Sequence, residues 1–197
     1  MVKNLCVLWA WSEAGGECVS FSYRKTVAMN DTLSIRIPYE RHVVLVAPEI
    51  HWNTGNIGRT CLGAGATLHL IEPLGFSLSN KQVKRAGLDY WQHVDLHIWP
   101  EFTVFLETLL PAPDEICLFT KKGSRSFWDM TPLDRLFLVF GSETKGLPPD
   151  ILACFPQSDF SIPMTDAIRS LNLSTAVGIA LYESLRNRLR SPRQAVT

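Results

Sequence analysis

The sequence predicts an α/β fold: a mainly parallel sheet with helices on both faces. Three observations carry this. From His42 onward, short apolar runs rich in β-branched and aromatic residues alternate with stretches of helix length. The runs are apolar at nearly every position, as strands covered on both faces must be. Proline- and glycine-containing turns separate the segments.

Taken in order, residues 1–40 hold no sustained helical or strand period and read as an N-terminal extension. The domain proper spans residues 41–190. Its first strand is expected at 43–47, and a helix at 55–64 follows, with Asn53 or Thr54 as its cap. A strand at 67–71 runs into the turn Pro73-Leu74-Gly75, and helices are expected at 80–86 and 101–109. After Pro111-Ala112-Pro113 come strands at 116–120 and 136–140, then a helix at 148–154 opened by Pro148 or Pro149. The last helix, 171–190, places Leu173, Ala176, Val177, Ala180, Leu181, Leu185 and Leu189 at three- and four-residue spacing, so one face must pack. Residues 191–197 form a short polar tail.

Composition narrows the function. The 197 residues suit a single domain with a substantial core. Lys plus Arg equal Asp plus Glu at 19 each, so any nucleic-acid contact has to come from local basic clusters rather than a global field. The five cysteines have no C-x-x-C spacing, which fits neither a disulfide framework nor a zinc knuckle and points to a reducing, cytoplasmic setting. The run from Leu5 to Trp11 is at the lower limit of a leader core and lacks a small-x-small cleavage site. No apolar run reaches the roughly 18 residues of a membrane span. A Ser-His-Asp hydrolase would need Gly-x-Ser-x-Gly at a strand-to-helix elbow, and none occurs. The histidines are scattered, and no metal is expected. Cys61, Cys117 and Cys154 lie in apolar stretches, where thiols are usually buried and inert.

Three segments carry polar or glycine residues that a packed core does not ask for, and each adjoins a strand. Open parallel sheets bind ligands beyond the carboxyl ends of their strands. The first, from Pro48 to Arg59, sets Asn56 and Arg59 about one helical turn apart on one side, a pair suited to a phosphate or ribose. In the second, Gly141-Ser142-Glu143-Thr144-Lys145-Gly146-Leu147-Pro148 follows a buried strand and leaves backbone amides free. It matches neither the dinucleotide fingerprint nor the P-loop. In the third, Ser161-Ile162-Pro163-Met164 leads to Arg169-Ser170-Leu171-Asn172-Leu173-Ser174, which crowds polar groups at the mouth of the last helix, with Ser170 as the expected cap.

Five ordered blocks together resemble the SPOUT RNA methyltransferases, and most closely the small bacterial tRNA (cytidine/uridine) 2′-O-methyltransferases of the TrmL type that modify the wobble nucleotide, position 34. The blocks are Pro48 to Arg59; Ile71-Glu72-Pro73-Leu74-Gly75-Phe76; Arg85-Ala86-Gly87-Leu88-Asp89-Tyr90; Phe140 to Pro148; and Ile162-Pro163-Met164 through Ser174 to Tyr182-Glu183. The resemblance implies a C-terminal trefoil knot, a homodimer, S-adenosylmethionine as methyl donor (leaving as S-adenosylhomocysteine) and tRNA as substrate. It places the donor against Phe119, Gly141, Ile162, Ser170 and Leu171, and assigns catalysis to Arg59, Glu143, Ser170 and Asn172. Asn56, Lys122, Arg169 and Tyr182 are the expected substrate contacts. Lys84, Arg85, Lys121, Arg125 and Lys145 would add positive charge, with Tyr90 or Trp91 stacking on a base. Two features depart from the family pattern: the N-terminal extension, and Trp52 where a proline commonly stands. Methylation of another tRNA or ribosomal RNA position, and a non-catalytic RNA-binding protein of the same fold, stay open as alternatives.

Overall fold

A computed structural model describes residues 39–77 and 90–189, together with two dipeptide strands, Ala10–Trp11 and Cys18–Val19, paired antiparallel. The expected helix at 80–86, the 191–197 tail and almost all of the 1–40 extension lie outside the described residues. The domain contains β1 (Glu40–Val46), α1 (His51–Ala64), β2 (Thr67–Ile71), β3 (Leu96–Trp99), α2 (Phe102–Leu109), β4 (Ile116–Phe119), β5 (Arg125–Ser126), β6 (Arg135–Phe140), α3 (Pro149–Cys154), β7 (Asp159–Ser161) and α4 (Leu173–Leu189). Seven strands form one sheet in the order β3-β2-β1-β6-β4-β7-β5, and every neighbouring pair is parallel.

The predicted two-sided burial is what the sheet shows. Along β1, Val43 and Leu45 face one way and join a core with Ile57 and Cys61 of α1 and Val177, Ala180, Leu181 and Leu185 of α4. Val44 and Val46 face the other way and pack with Phe105 of α2 and Ile151 of α3. Period-two alternation thus supplies two cores from one apolar run.

Differences from expectation have local causes. Helix α1 begins at His51 rather than 55: Ile50 is its extended cap residue and makes no side-chain cap bond, while Asn53 and Thr54 are buried within the first turn. Strands β3, β5 and β7 went unpredicted. β3 is an edge strand with two exposed positions, and β5 and β7 span two and three residues, too few for a period to register. Cys61 and Cys117 are buried, and burial pushes both thiols up to about 12. Cys154, expected to be buried, is exposed.

Two polar features tie the architecture together. Arg41, 1% exposed, donates from Nε to Ser184 Oγ (3.1 Å) and from its terminal nitrogens to the carbonyls of Ser184 (3.1 Å), Glu40 (3.0 Å) and Asp134 (3.0 Å). The guanidinium thereby fastens the C-terminal half of α4 to the first strand.

A second network crosses β1 to β3. Trp99 Nε1 donates to His69 Nδ1 (3.1 Å), so a neutral His69 carries its proton on Nε2 and donates to His42 Nδ1 (3.0 Å). His42 Nε2 then holds the remaining proton with no partner among the described residues, its ring stacked on Phe137 at 4.3 Å. Burial is the main cause that lowers His42 to about 4, helped by Arg135, and His69 to about 3.

Both imidazoles are therefore neutral when folded, whereas the unfolded chain takes up protons near 6.5. Across that interval the unfolded state binds more protons, so its population rises as the pH falls. Folding stability should be full above about pH 6.5 and decline as pH drops toward 4. Chemical denaturation across that range measures it, and a midpoint independent of pH would refute the buried neutral pair.

Candidate active site

Because all seven strands run the same way, their carboxyl ends share one edge, and the cavity lies there. It measures about 860 Å³, within the range of small-ligand sites. Its walls come from the end of β4 (Phe119 to Lys122), the loop after β6 (Gly141 to Leu147), Ile162 and Met164 beyond β7, and the segment from Ser170 into α4.

The loop after β6 closes tightly on itself. Gly146 N donates to the Ser142 carbonyl (2.9 Å), and Lys145 N donates to Ser142 Oγ (3.2 Å). Gly146 sits at φ 72°, in the left-handed region that favours glycine. A Cβ at Gly141 would lie 2.0 Å from the Gly146 carbonyl carbon, so only glycine lets the two ends of the loop meet.

Glu143, in this loop, organises the rim. Its Oε2 accepts from Glu49 N (2.8 Å) and its Oε1 from Asn53 Nδ2 (2.8 Å). Asn53 Oδ1 in turn accepts from Asn172 Nδ2 (3.0 Å). Glu49 answers across the same gap, accepting from Thr144 Oγ1 (2.6 Å) and Thr144 N (3.3 Å). The other end of the Asn172 amide serves the last helix, where its Oδ1 accepts from Ser174 N (2.9 Å), Ser174 Oγ (2.7 Å) and Thr175 N (3.4 Å). Asn172, not the expected Ser170, therefore caps α4, which starts at Leu173. Asn53 likewise bridges two loops rather than capping α1.

The floor is apolar. Phe119 and Phe140 stack at 4.7 Å, and Ile162, Leu171 and Leu173 join them around the cavity. Its cationic groups are Lys121, Lys122 and Lys145. Asp159 also lines it, and hydrogen bonds from Ser124 Oγ (2.7 Å) and Ser124 N (2.8 Å) hold its carboxyl below the usual range.

The expected residues divide into two groups. Phe119, Gly141, Ile162, Ser170, Leu171, Glu143, Asn172 and Lys122 all line this one cavity. Arg59, Asn56, Arg169 and Tyr182 do not line it; all four are exposed, Arg59 and Asn56 on α1 and Tyr182 on α4. Among the basic residues, Lys84 and Arg85 lie outside the described residues. Arg125 is engaged within the chain, over the Phe160 ring at 4.7 Å and donating to the Asp129 carbonyl at 2.9 Å. Sequence reasoning missed Asn53 as a bridging group, and it missed Ile50, Ser142 and Met164 as lining. Asn53 had a signal in its polar character before an apolar helix, but that signal equally fits a cap. The others read as ordinary core or turn residues.

No helix among the described residues is long and apolar enough to cross a membrane. Nor do the described residues bring three or more His, Cys, Asp or Glu together in a way that could hold a metal ion.

Comparison with known proteins agrees with this geometry. A profile of the SpoU rRNA Methylase family matches residues 40–182. The tRNA (cytidine(34)-2'-O)-methyltransferase of Burkholderia ambifaria is 44% identical over 146 residues, covering 74% of this chain and 94% of that protein. A solved structure described as giving structural insights into the 2-OH methylation of C/U34 on tRNA is 45% identical, with a TM-score of 0.70, and covers 77% of this chain and 98% of that one. An AdoMet-bound rRNA methyltransferase from Sinorhizobium meliloti is 27% identical, with a TM-score of 0.66, over 75% of this chain and 56% of its own. With a parallel sheet, a cavity at its carboxyl edge and a family match running from the first strand into the last helix, the chain belongs to the SpoU rRNA methylase family.

Proposed function

We propose that this protein methylates the ribose 2′-hydroxyl of the wobble nucleotide of tRNA, position 34, a cytidine or uridine, using S-adenosylmethionine. One observation carries the reading: the loop after β6, the Ile162 segment and the Ser170–Leu171 segment converge on a single cavity with an apolar floor and a hydrogen-bonded rim. That lining fits an amphipathic nucleoside. The stacked Phe119 and Phe140 and the Ile162 and Leu171 side chains suit its apolar surfaces, and the close-wound Gly141 loop brings main-chain groups to the cavity wall. The choice of nucleotide rests on the activity named for the relatives.

When bound, the donor supplies a methyl group on a positively charged sulfur, and no metal is needed. The chain's part is alignment and charge placement. Phe119, Gly141, Ile162, Ser170 and Leu171, which line the cavity, would hold the donor. Glu143, through Asn53, fixes Asn172 at the rim, and Ser170 would bridge donor and substrate. Lys122, with Arg169 and Asn56, meets phosphate and ribose, and Tyr182 positions the substrate.

Arg59 is the group assigned to the reacting hydroxyl. A guanidinium keeps its proton, so its role is to stabilise developing alkoxide and hold the adjacent phosphate. Arg59 does not line the cavity of its own chain; in this reading a second copy presents it, and the active species is a homodimer. Supporting this, α1 and α4 leave Trp52, Ile179 and Tyr182 exposed, at 64%, 37% and 55%. The same reading gives the C-terminal region the trefoil knot of its family, residues 41–190 a single catalytic domain, and the protein a cytoplasmic location alongside its tRNA substrate.

Arg59→Ala should abolish methylation of tRNA while calorimetry still detects donor binding; unchanged turnover would remove Arg59 from the mechanism. Mass mapping of the methylated nucleotide in the product tests the position. Lys122→Ala should weaken tRNA binding and reduce the slope of log affinity against log salt by about one. A loss of affinity with an unchanged slope would rule out a phosphate contact at Lys122.

A further inference from the structure

Arg59 stands on the exposed face of α1, and among the described residues it forms no ion pair. Its orientation comes from a ring instead: the guanidinium carbon lies 5.1 Å from the centroid of Tyr90. Tyr90 is itself pinned to α1, donating from its hydroxyl to the Gly55 carbonyl at 3.1 Å. That carbonyl lies one helical turn before Arg59 and is the one the i→i−4 ladder pairs with the Arg59 amide. The ring and its hydrogen bond therefore span the turn that carries the arginine. The neighbouring Trp91 braces the arrangement. A Cβ at Gly58 would lie 2.5 Å from the Trp91 ring, so the indole fills the space that glycine leaves.

The choice of an aromatic partner matters chemically. A carboxylate beside Arg59 would fix it, but would also neutralise its charge and occupy its fork of N–H donors. A ring face orients the guanidinium by electrostatic attraction and leaves the donor edge free. We propose that Tyr90 is a positioning residue for Arg59, holding the guanidinium in one plane with all its donors available to the reacting ribose and phosphate. This rests on the reading of Arg59 given above. It gives Tyr90 a role other than the expected one, in which Tyr90 or Trp91 stacks on a base: the Tyr90 ring is engaged with α1.

The test is a ring series measured at saturating tRNA and donor. Tyr90→Phe keeps the ring and should retain kcat within about twofold, whereas Tyr90→Leu should lower kcat about tenfold with KM for tRNA and donor affinity little changed. Tyr90→His, a smaller ring assayed above pH 8, should fall between them, and it serves if the leucine variant folds poorly. A leucine variant with wild-type kcat overturns the proposal. So does a loss confined to KM for tRNA, which would assign Tyr90 to the RNA, and so does a phenylalanine variant as impaired as the leucine one, which would assign the effect to the Gly55 hydrogen bond. Arg59→Ala separates the levels: if it abolishes turnover while Tyr90→Leu does not lower kcat, only this inference fails. If Arg59→Ala leaves turnover intact, the reading of Arg59 fails and takes this inference with it.

Discussion

The carboxylate of Glu143 is the constraint on which the site depends. It sits in a loop that closes only because Gly141 and Gly146 allow it, and it accepts hydrogen bonds from two donors on the segment after β1. Bonds of this charge-assisted kind contribute roughly 1.5–3 kcal/mol each. Leaving their donors unpaired would cost about 1–3 kcal/mol each. The reciprocal bonds from Thr144 to Glu49 make the junction two-sided, so neither loop can shift without breaking contacts of the other. Through Asn53 the constraint reaches Asn172, which caps the last helix. Three stretches far apart in sequence thus share one hydrogen-bonded seam.

The cavity beside that seam carries two kinds of surface. The stack of Phe119 and Phe140, continuous with the core, is apolar, and Lys121, Lys122 and Lys145 line the same cavity as exposed cations. A ligand with a flat apolar part and a charged part finds both within one cavity, and an anionic polymer finds positive charge where the cavity opens. The overall charge balance of the chain gives no hint of this, because the cations are gathered locally.

Much of this was legible in sequence because parallel strands announce themselves. Runs such as Val43-Val44-Leu45-Val46 are apolar on both faces and have few alternative interpretations. The Gly141 loop was legible for a similar reason: glycine at both ends of a polar turn after a buried strand has few structural uses. Asn53 reads as a cap because a polar residue near a helix start looks the same whether its oxygen meets the helix's own amides or another loop, and Ser170 reads as one because it stands two residues ahead of the true cap, Asn172. Only the positions of Glu143 and Asn172 decide between these, and those positions belong to tertiary structure. The role of Arg41 is hidden for the same cause, since Ser184 and Asp134, which accept its hydrogen bonds, lie more than ninety residues away. The edge strand β3 and the two shortest strands carry too little periodicity for any local reading to find.

The bond between Arg41 and Ser184 has a consequence for biosynthesis. The arginine is synthesised before the hydroxyl it binds, which is encoded 143 positions later, while Asn172, which completes the rim, lies just ahead of the same helix, α4. Until α4 has been made, every strand of the sheet is already present while the binding pocket lacks one side. Competence therefore waits on α4 and the segment before it, and a product truncated ahead of them would lack both the pocket wall and the cap that shapes it.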